Sequence, residues 1–230
     1  MSAERKPFAE TQIYPILFML AVTIIFVGVL SVFYRSTEKS IDARKEQTHK
    51  LNILSMFADT LSILTGTERA AFVDPASADA NFTKYIRVME FPVSTGTTIS
   101  SQYYRAQTVE DNILGFCFEV TGSGLWGTMR GLLAVTPDYQ RIINFMIYDQ
   151  METPGLGSRV EENWFRQQFS GKPLFTDNTP ANFALVPEEA DANALQVRQI
   201  TGASITSTSV LKIIKAAAEQ LLSSATDLAK

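Results

Sequence analysis

The sequence predicts an α+β protein, one antiparallel sheet with helices on one side, tethered by a single N-terminal transmembrane helix. Three observations carry this. Residues 11–34 contain no charged side chain, and residues 13–33 are almost wholly apolar. The middle of the chain repeats short apolar runs separated by tight-turn residues, the pattern of antiparallel hairpins. Close to the C-terminus, apolar residues recur at spacings of three and four, the signature of an amphipathic helix.

Taken in order, residues 1–12 form a tail and residues 13–34 the membrane helix. At 1.5 Å per residue, about 20 apolar residues cross a hydrocarbon layer of roughly 30 Å. Pro15 sits near the start, where a missing helical N–H costs least. A cleaved signal peptide has a shorter apolar core and a small-x-small cleavage site, and Val32-Phe33-Tyr34-Arg35 offers none. A buried helix of a soluble core is the remaining alternative. Residues 35–66 read as a juxtamembrane helical stalk, with Leu51, Leu54, Phe57, Ala58 and Leu61 on one face. Gly66 and Asp74-Pro75-Ala76-Ser77 break it.

Residues 67–230 form the domain. Strands are expected at 83–88, 113–120, 129–135 and 142–148. The intervening turns are Thr121-Gly122-Ser123-Gly124 and Thr136-Pro137-Asp138. Residues 161–169 read as a short helix ending near Gly171, and Pro173, Pro180 and Pro187 punctuate an irregular stretch. The last helix is expected over 207–222, with Val210, Ile214, Ala217 and Leu221 buried and Thr206 or Ser207 as its cap.

Several function classes are disfavoured. A net charge of −4 argues against a nucleic-acid partner. A single cysteine, Cys117, permits no internal disulfide and reads as a buried apolar residue of a strand. Gly202-Ala203-Ser204-Ile205-Thr206 resembles the Gly-x-Ser-x-Gly nucleophile elbow but ends in Thr206. The only histidine, His49, lies in the stalk. No cluster of metal-ligand type is present, so no metal site is expected.

Three segments remain as candidate binding chemistry. In the first, Gly202 and Ala203 admit a bulky group to the backbone, and Ser204 offers an exposed hydroxyl. The helix that follows points its N-terminus there, a favourable place for a phosphate. Small residues also serve a plain turn before a helix, with Thr206 capping it. The second, Glu152-Thr153-Pro154-Gly155-Leu156-Gly157, is a rigid loop able to present amides and one apolar side chain to a planar ring. It serves equally as a strand-to-helix connection. In the third, Trp126 between glycines either stacks on a ligand or anchors a hairpin in the core.

Together these segments resemble a known family, the membrane-anchored FMN-binding subunits of ion-pumping redox complexes. These are the C subunit of the sodium-translocating NADH:quinone oxidoreductase and the related G subunit of the Rnf ferredoxin:NAD complex. The resemblance runs along nearly the whole chain. It includes the anchor, the stalk with Leu51-Asn52-Ile53-Leu54, the Gly124-Leu125-Trp126 hairpin and Glu152-Thr153-Pro154-Gly155-Leu156-Gly157. It continues with Phe169-Ser170-Gly171-Lys172 and Thr201-Gly202-Ala203-Ser204-Ile205-Thr206-Ser207. The stalk and the Gly-Leu-Trp look more like the quinone-reductase branch.

What the resemblance implies is specific. The family's motif, Asp-x-x-Ser/Thr-Gly-Ala-Thr, carries FMN by a phosphoester on its last Thr, attached by a separate flavin transferase from FAD. This chain departs twice, with Ser204 at the acceptor position and Arg198 at the aspartate position. Serine keeps the hydroxyl chemistry, and Arg198 is a candidate phosphate contact. By this resemblance Ser204 bears the phosphate, and Thr201, Gly202, Ala203 and Thr206 shape its cradle. Glu152, Thr153, Gly155, Leu156 and Gly157 border the ring, with Trp126 nearby and Lys172 as a further contact.

The implied protein is an electron-transfer subunit of an NADH:quinone reductase or Rnf-type complex, not catalytic alone. It lacks a Gly-x-Gly-x-x-Gly dinucleotide fingerprint. Its implied partners are the other subunits, the flavin transferase and the lipid bilayer. A flavin-free membrane-anchored binding or assembly module of the same fold is the rival reading, motivated by Arg198 and Ser204.

Sidedness is left open by the residues. Arg5 and Lys6 precede the anchor, and Arg35, Lys39, Arg44, Lys45 and Lys50 follow it. Simple counting places the C-terminal side in the cytoplasm, but long domains translocate largely regardless of charge. The resemblance implies a single-pass protein of the inner membrane with its domain outside the cytoplasm.

Overall fold

The structure, a computed structural model, describes residues 13–90 and 98–228. The expected tail lies outside the described residues. Helix α1 (Ile13–Thr65) is a single helix of 53 residues. By length and composition it is able to cross a membrane. It stops at Gly66, whose φ of 65° is left-handed. The Gly66 N–H bonds the Ser62 carbonyl at 3.0 Å, closing the last turn. The chain divides into two units, Met1–Thr48 and His49–Lys230, so the C-terminal part of α1 counts with the second.

The second unit is built on a five-stranded antiparallel sheet in the order β1-β2-β3-β4-β5. The strands are β1 (Ile86–Glu90), β2 (Ile99–Gln107), β3 (Ile113–Ser123), β4 (Thr128–Val135) and β5 (Ile142–Asp149). Three expected strands are found, but the β3–β4 turn lies at 124–127, later than expected. Residues 83–85, expected as strand, close helix α3 (Ala78–Tyr85) instead. Helical spacing puts Ala78 and Tyr85 on one buried face. The Tyr85 ring meets Phe72, in helix α2 (Arg69–Phe72), edge-on at 5.7 Å.

Successive residues of a strand face opposite sides, and here both sides are buried. On one face Phe116, Phe118, Val120, Leu133 and Phe145 share a core with Val210, Ile214 and Leu221. On the other, Cys117, Leu132, Ala134 and Met146 pack with Leu54, Phe57 and Leu61 of α1. Helices therefore flank the sheet on two sides, not one. The apolar runs of β3 and β4 carry that information, because a strand covered on both faces does not alternate with polar residues. Each fully buried Leu or Phe contributes about 1.5–3 kcal/mol.

Among these apolar residues sits a small polar cluster. His49 Nε2 lies 2.7 Å from Glu119 Oε1, and the Tyr104 hydroxyl donates to the same oxygen at 3.3 Å. His49 holds the Glu119 carboxyl below its ordinary value. Burial, then the Glu119 charge, pushes the Tyr104 hydroxyl up.

After β5 come a 3-10 turn (Gly157–Glu161), α4 (Asn163–Gln167), the hairpin β6 (Phe175–Thr176) and β7 (Thr179–Pro180), and the parallel pair β8 (Ala184–Val186) and β9 (Gln196–Arg198). Helix α5 (Ser204–Leu228) begins earlier than expected, so Thr206 and Ser207 lie inside it and are not its caps. The Ser207 hydroxyl instead accepts the Ile200 N–H at 3.0 Å and donates to the Ala203 carbonyl at 3.0 Å. It thereby ties the incoming chain to the first turn.

Candidate functional site: the cleft at the start of α5

Three segments distant in sequence meet at the N-terminus of α5. They enclose a cleft of about 310 Å³, within the usual size of ligand pockets. Leu125 and Trp126 of the β3–β4 turn form one side, and Glu152, Thr153, Leu156 and Gly157 another. Gly202 through Thr206 form the floor.

Glu152 holds the three together. Its side chain is 5% exposed. One carboxylate oxygen accepts the N–H groups of Leu125 (2.8 Å) and Trp126 (3.0 Å). The other accepts the Thr206 hydroxyl at 2.5 Å. A buried carboxylate with three donors is tolerated because each donor replaces a lost water. Two glycines make room for it. A Cβ on Gly124 would stand 2.4 Å from Glu152 Oε1, and one on Gly157 would stand 2.7 Å from Oε2.

Ser204 opens α5 and is exposed. Among the described residues its hydroxyl donates to no acceptor, and the N–H groups of Ser204, Ile205 and Thr206 have no backbone acceptor in the preceding turn. Such first-turn donors, with the helix dipole, favour an anion. Gly202 enters the turn at φ 79°, and Leu156 lies against it. Around this polar floor stands an apolar rim: Trp126 is 67% exposed, Ile205 59%, Leu125 48% and Leu156 43%. A phosphate on the floor and a planar ring against the rim fit these residues. Thr206, the other hydroxyl of the floor, is buried and bonded to Glu152, whereas the Ser204 hydroxyl is exposed.

Not every predicted residue gathers here. Thr201 and Gly155 border the cleft in sequence without lining it. Trp126 is exposed, which removes the reading of a core anchor. Lys172 and Arg198 line a separate polar cleft with Gln168 and Asp191. The Lys172 ammonium donates to the Asn193, Ala194 and Gln196 carbonyls at 2.7–3.3 Å, fastening the loop before β9. The Arg198 guanidinium lies 5.6 Å over the Trp164 ring. Neither Arg198, the candidate phosphate contact, nor Lys172, the further contact, lines the cleft at Ser204.

Sequence reasoning passed over Glu188 and Arg159. Glu188 Oε2 accepts the Thr201 N–H at 2.8 Å. Arg159 reaches both Glu188 oxygens, at 2.6 and 3.2 Å. Arg159, and then the Thr201 N–H, hold the Glu188 carboxyl down from 4.5 to about 2. The one sequence signal was Arg159, two residues after Gly157. Among the described residues no group of three or more His, Cys, Asp or Glu is placed to hold a metal ion.

Comparison with known proteins bears on the segments that form this cleft. The family model of the FMN-binding domain matches residues 124–219, a span that contains all three walls. This segment is similar to an FMN-binding domain. Among curated relatives, the C subunit of the Na(+)-translocating NADH-quinone reductase of Vibrio anguillarum is 39% identical over 101 residues, 44% of this chain and 40% of that protein. The same subunit of Yersinia pestis is 31% identical over 146 residues, 60% of this chain and 55% of that protein. The G subunit of the proton-translocating ferredoxin:NAD(+) oxidoreductase complex of Clostridium ljungdahlii is 34% identical over 119 residues, 52% of this chain and 59% of that protein. The alignments thus span roughly half or less of the first relatives' length. Among solved structures, NqrC of Shewanella oneidensis is 20% identical with a TM-score of 0.58, over 75% of this chain and 91% of that one. The C subunit of the Na(+)-translocating NADH-quinone reductase of Parabacteroides distasonis is 21% identical with a TM-score of 0.58, over 81% and 94%. At that identity the structural likeness bears on the fold, which it supports. The cofactor expected for the FMN-binding domain is FMN, as the motifs had implied.

Proposed function

We propose that this chain is an electron-transfer subunit of an ion-translocating membrane complex of the NADH:quinone reductase or Rnf type, carrying FMN as a phosphoester on Ser204. The observation that carries the reading is Ser204 itself. It is an exposed hydroxyl with no internal partner among the described residues, at the start of a helix, ringed by an apolar rim, within a segment matched by the FMN-binding domain model. FMN supplies the electron chemistry when bound. The chain supplies a turn that accepts the phosphate, Glu152 to hold the walls, and apolar side chains for the ring. In this reading a flavin transferase esterifies Ser204 from FAD, and other subunits of the complex provide and collect the electrons.

Residues 13–34 act as the membrane anchor, residues 35–66 as the stalk and residues 67–230 as the domain, placed outside the cytoplasmic membrane. The relatives' names, which describe subunits of membrane redox complexes, support the assembly. A flavin-free module of the same fold is the less supported reading. Mass spectrometry of protein co-expressed with a flavin transferase tests it. We expect an adduct of FMN mass on the peptide containing Ser204, absent in Ser204→Ala. An unmodified wild-type peptide contradicts the proposal.

A further inference from the structure

Two carboxylates fasten the segment that presents Ser204, one at each end. Glu152 holds the far end through Thr206. Glu188, in the loop between β8 and β9, holds the near end through the Thr201 N–H. Between these points lie exposed Thr201 and Gly202, the latter at φ 79°. That is the most permissive backbone of the segment.

Glu188 is itself fixed. Arg159 grips both of its oxygens in a fork, an arrangement that sets direction as well as distance. Arg159 in turn pairs with Glu162 at 3.2 Å and lies 5.4 Å over the Trp164 ring. Because Arg159 follows Gly157 in the 3-10 turn, this chain of contacts joins the loop wall of the cleft to its floor. Partly exposed ion pairs add little to global stability, so the use of this one lies in where it puts Thr201. Arg159 also offsets the charge of the Glu188 carboxylate.

We propose that Glu188, braced by Arg159, is a positioning residue for the modification of Ser204. The inference rests on the reading that FMN is esterified there. In that step the pyrophosphate bond of FAD breaks and the Ser204 Oγ–P bond forms. AMP leaves, and the hydroxyl proton goes to solvent. Glu188 touches none of the reacting atoms. It fixes the turn from which Ser204 projects.

The test follows adduct formation by mass spectrometry on the full chain in detergent, with FAD and a flavin transferase. Glu188→Ala is expected to be modified roughly tenfold more slowly, the scale of one lost charge-assisted hydrogen bond. Glu188→Gln keeps an oxygen for the Thr201 N–H and recovers most of the rate. The urea midpoint of both variants stays near wild type. An Ala variant modified at the wild-type rate overturns the proposal and leaves the flavin reading standing. Equal slowing of both variants together with a lowered urea midpoint marks general structural damage and overturns it too. If the wild type takes no adduct, the flavin reading fails. The proposal then falls with it, and exchange of the Thr201 amide, faster in Glu188→Ala or unchanged, shows only whether Glu188 fixes the turn.

Discussion

Glu152 and Glu188 are both carboxylates that accept backbone N–H groups, yet they do different work. Glu152 is buried and has no cation beside it among the described residues, so its three donors are its whole compensation. Glu152→Leu leaves two amides and the Thr206 hydroxyl without their acceptor and is expected to cost about 3 kcal/mol, read from urea unfolding. Glu188 is partly exposed and paired. Its carboxyl is lowered in the folded protein, so the contribution is fully present above the ordinary value of 4.5 and is lost as pH falls towards about 2. A carboxyl-carbon NMR titration of Glu188 is expected to show a midpoint near 2. A midpoint close to the ordinary value contradicts the Arg159 and Thr201 contacts. Neither role was legible in the sequence. Glu188 lies in an irregular stretch, and its contacts to Arg159 and Thr201 join segments that no periodicity links.

At the scale of elements, the loop from Glu152 to Gly157 shows why two glycines of one motif are not equivalent. At Gly157 a Cβ would press on Glu152 and on the Thr206 hydroxyl, at 2.7–2.8 Å, so Gly157→Ala is expected to cost about 2 kcal/mol and to disturb the cleft. At Gly155 a Cβ meets open space but φ is 74°, so Gly155→Ala is expected to cost about 1 kcal/mol of backbone strain and to leave the cleft intact. Thermal unfolding combined with flavin incorporation separates the two. The strands β3, β4 and β5 were legible because their apolar runs are dense. Strand β2 was not, because Ser100, Ser101 and Gln102 break its pattern and the strand pairs through its backbone. The start of α5 was misplaced because Thr206 and Ser207 look like caps, while their hydroxyls serve Glu152 and Ile200.

For the whole molecule, the C-terminal part of α1 is an integral layer of the domain. Leu54, Phe57 and Leu61 are buried against the sheet face that carries Cys117 and Leu132. A chain starting at residue 35 is expected to be soluble and folded, and one starting at residue 66 to aggregate, as size-exclusion chromatography would show. Equal behaviour of the two contradicts a two-sided sheet. The long apolar N-terminal helix was the most legible feature of the sequence, since its uncharged run of that length is dense and unbroken.

The central claim is that the cofactor is fixed to Ser204 by a covalent bond. The visible absorption spectrum of the protein matured with a flavin transferase, then denatured and washed, tests it most directly. The account predicts flavin absorption that stays with the polypeptide and disappears in Ser204→Ala. Absorption that washes away, or that survives the Ser204→Ala substitution, would contradict it.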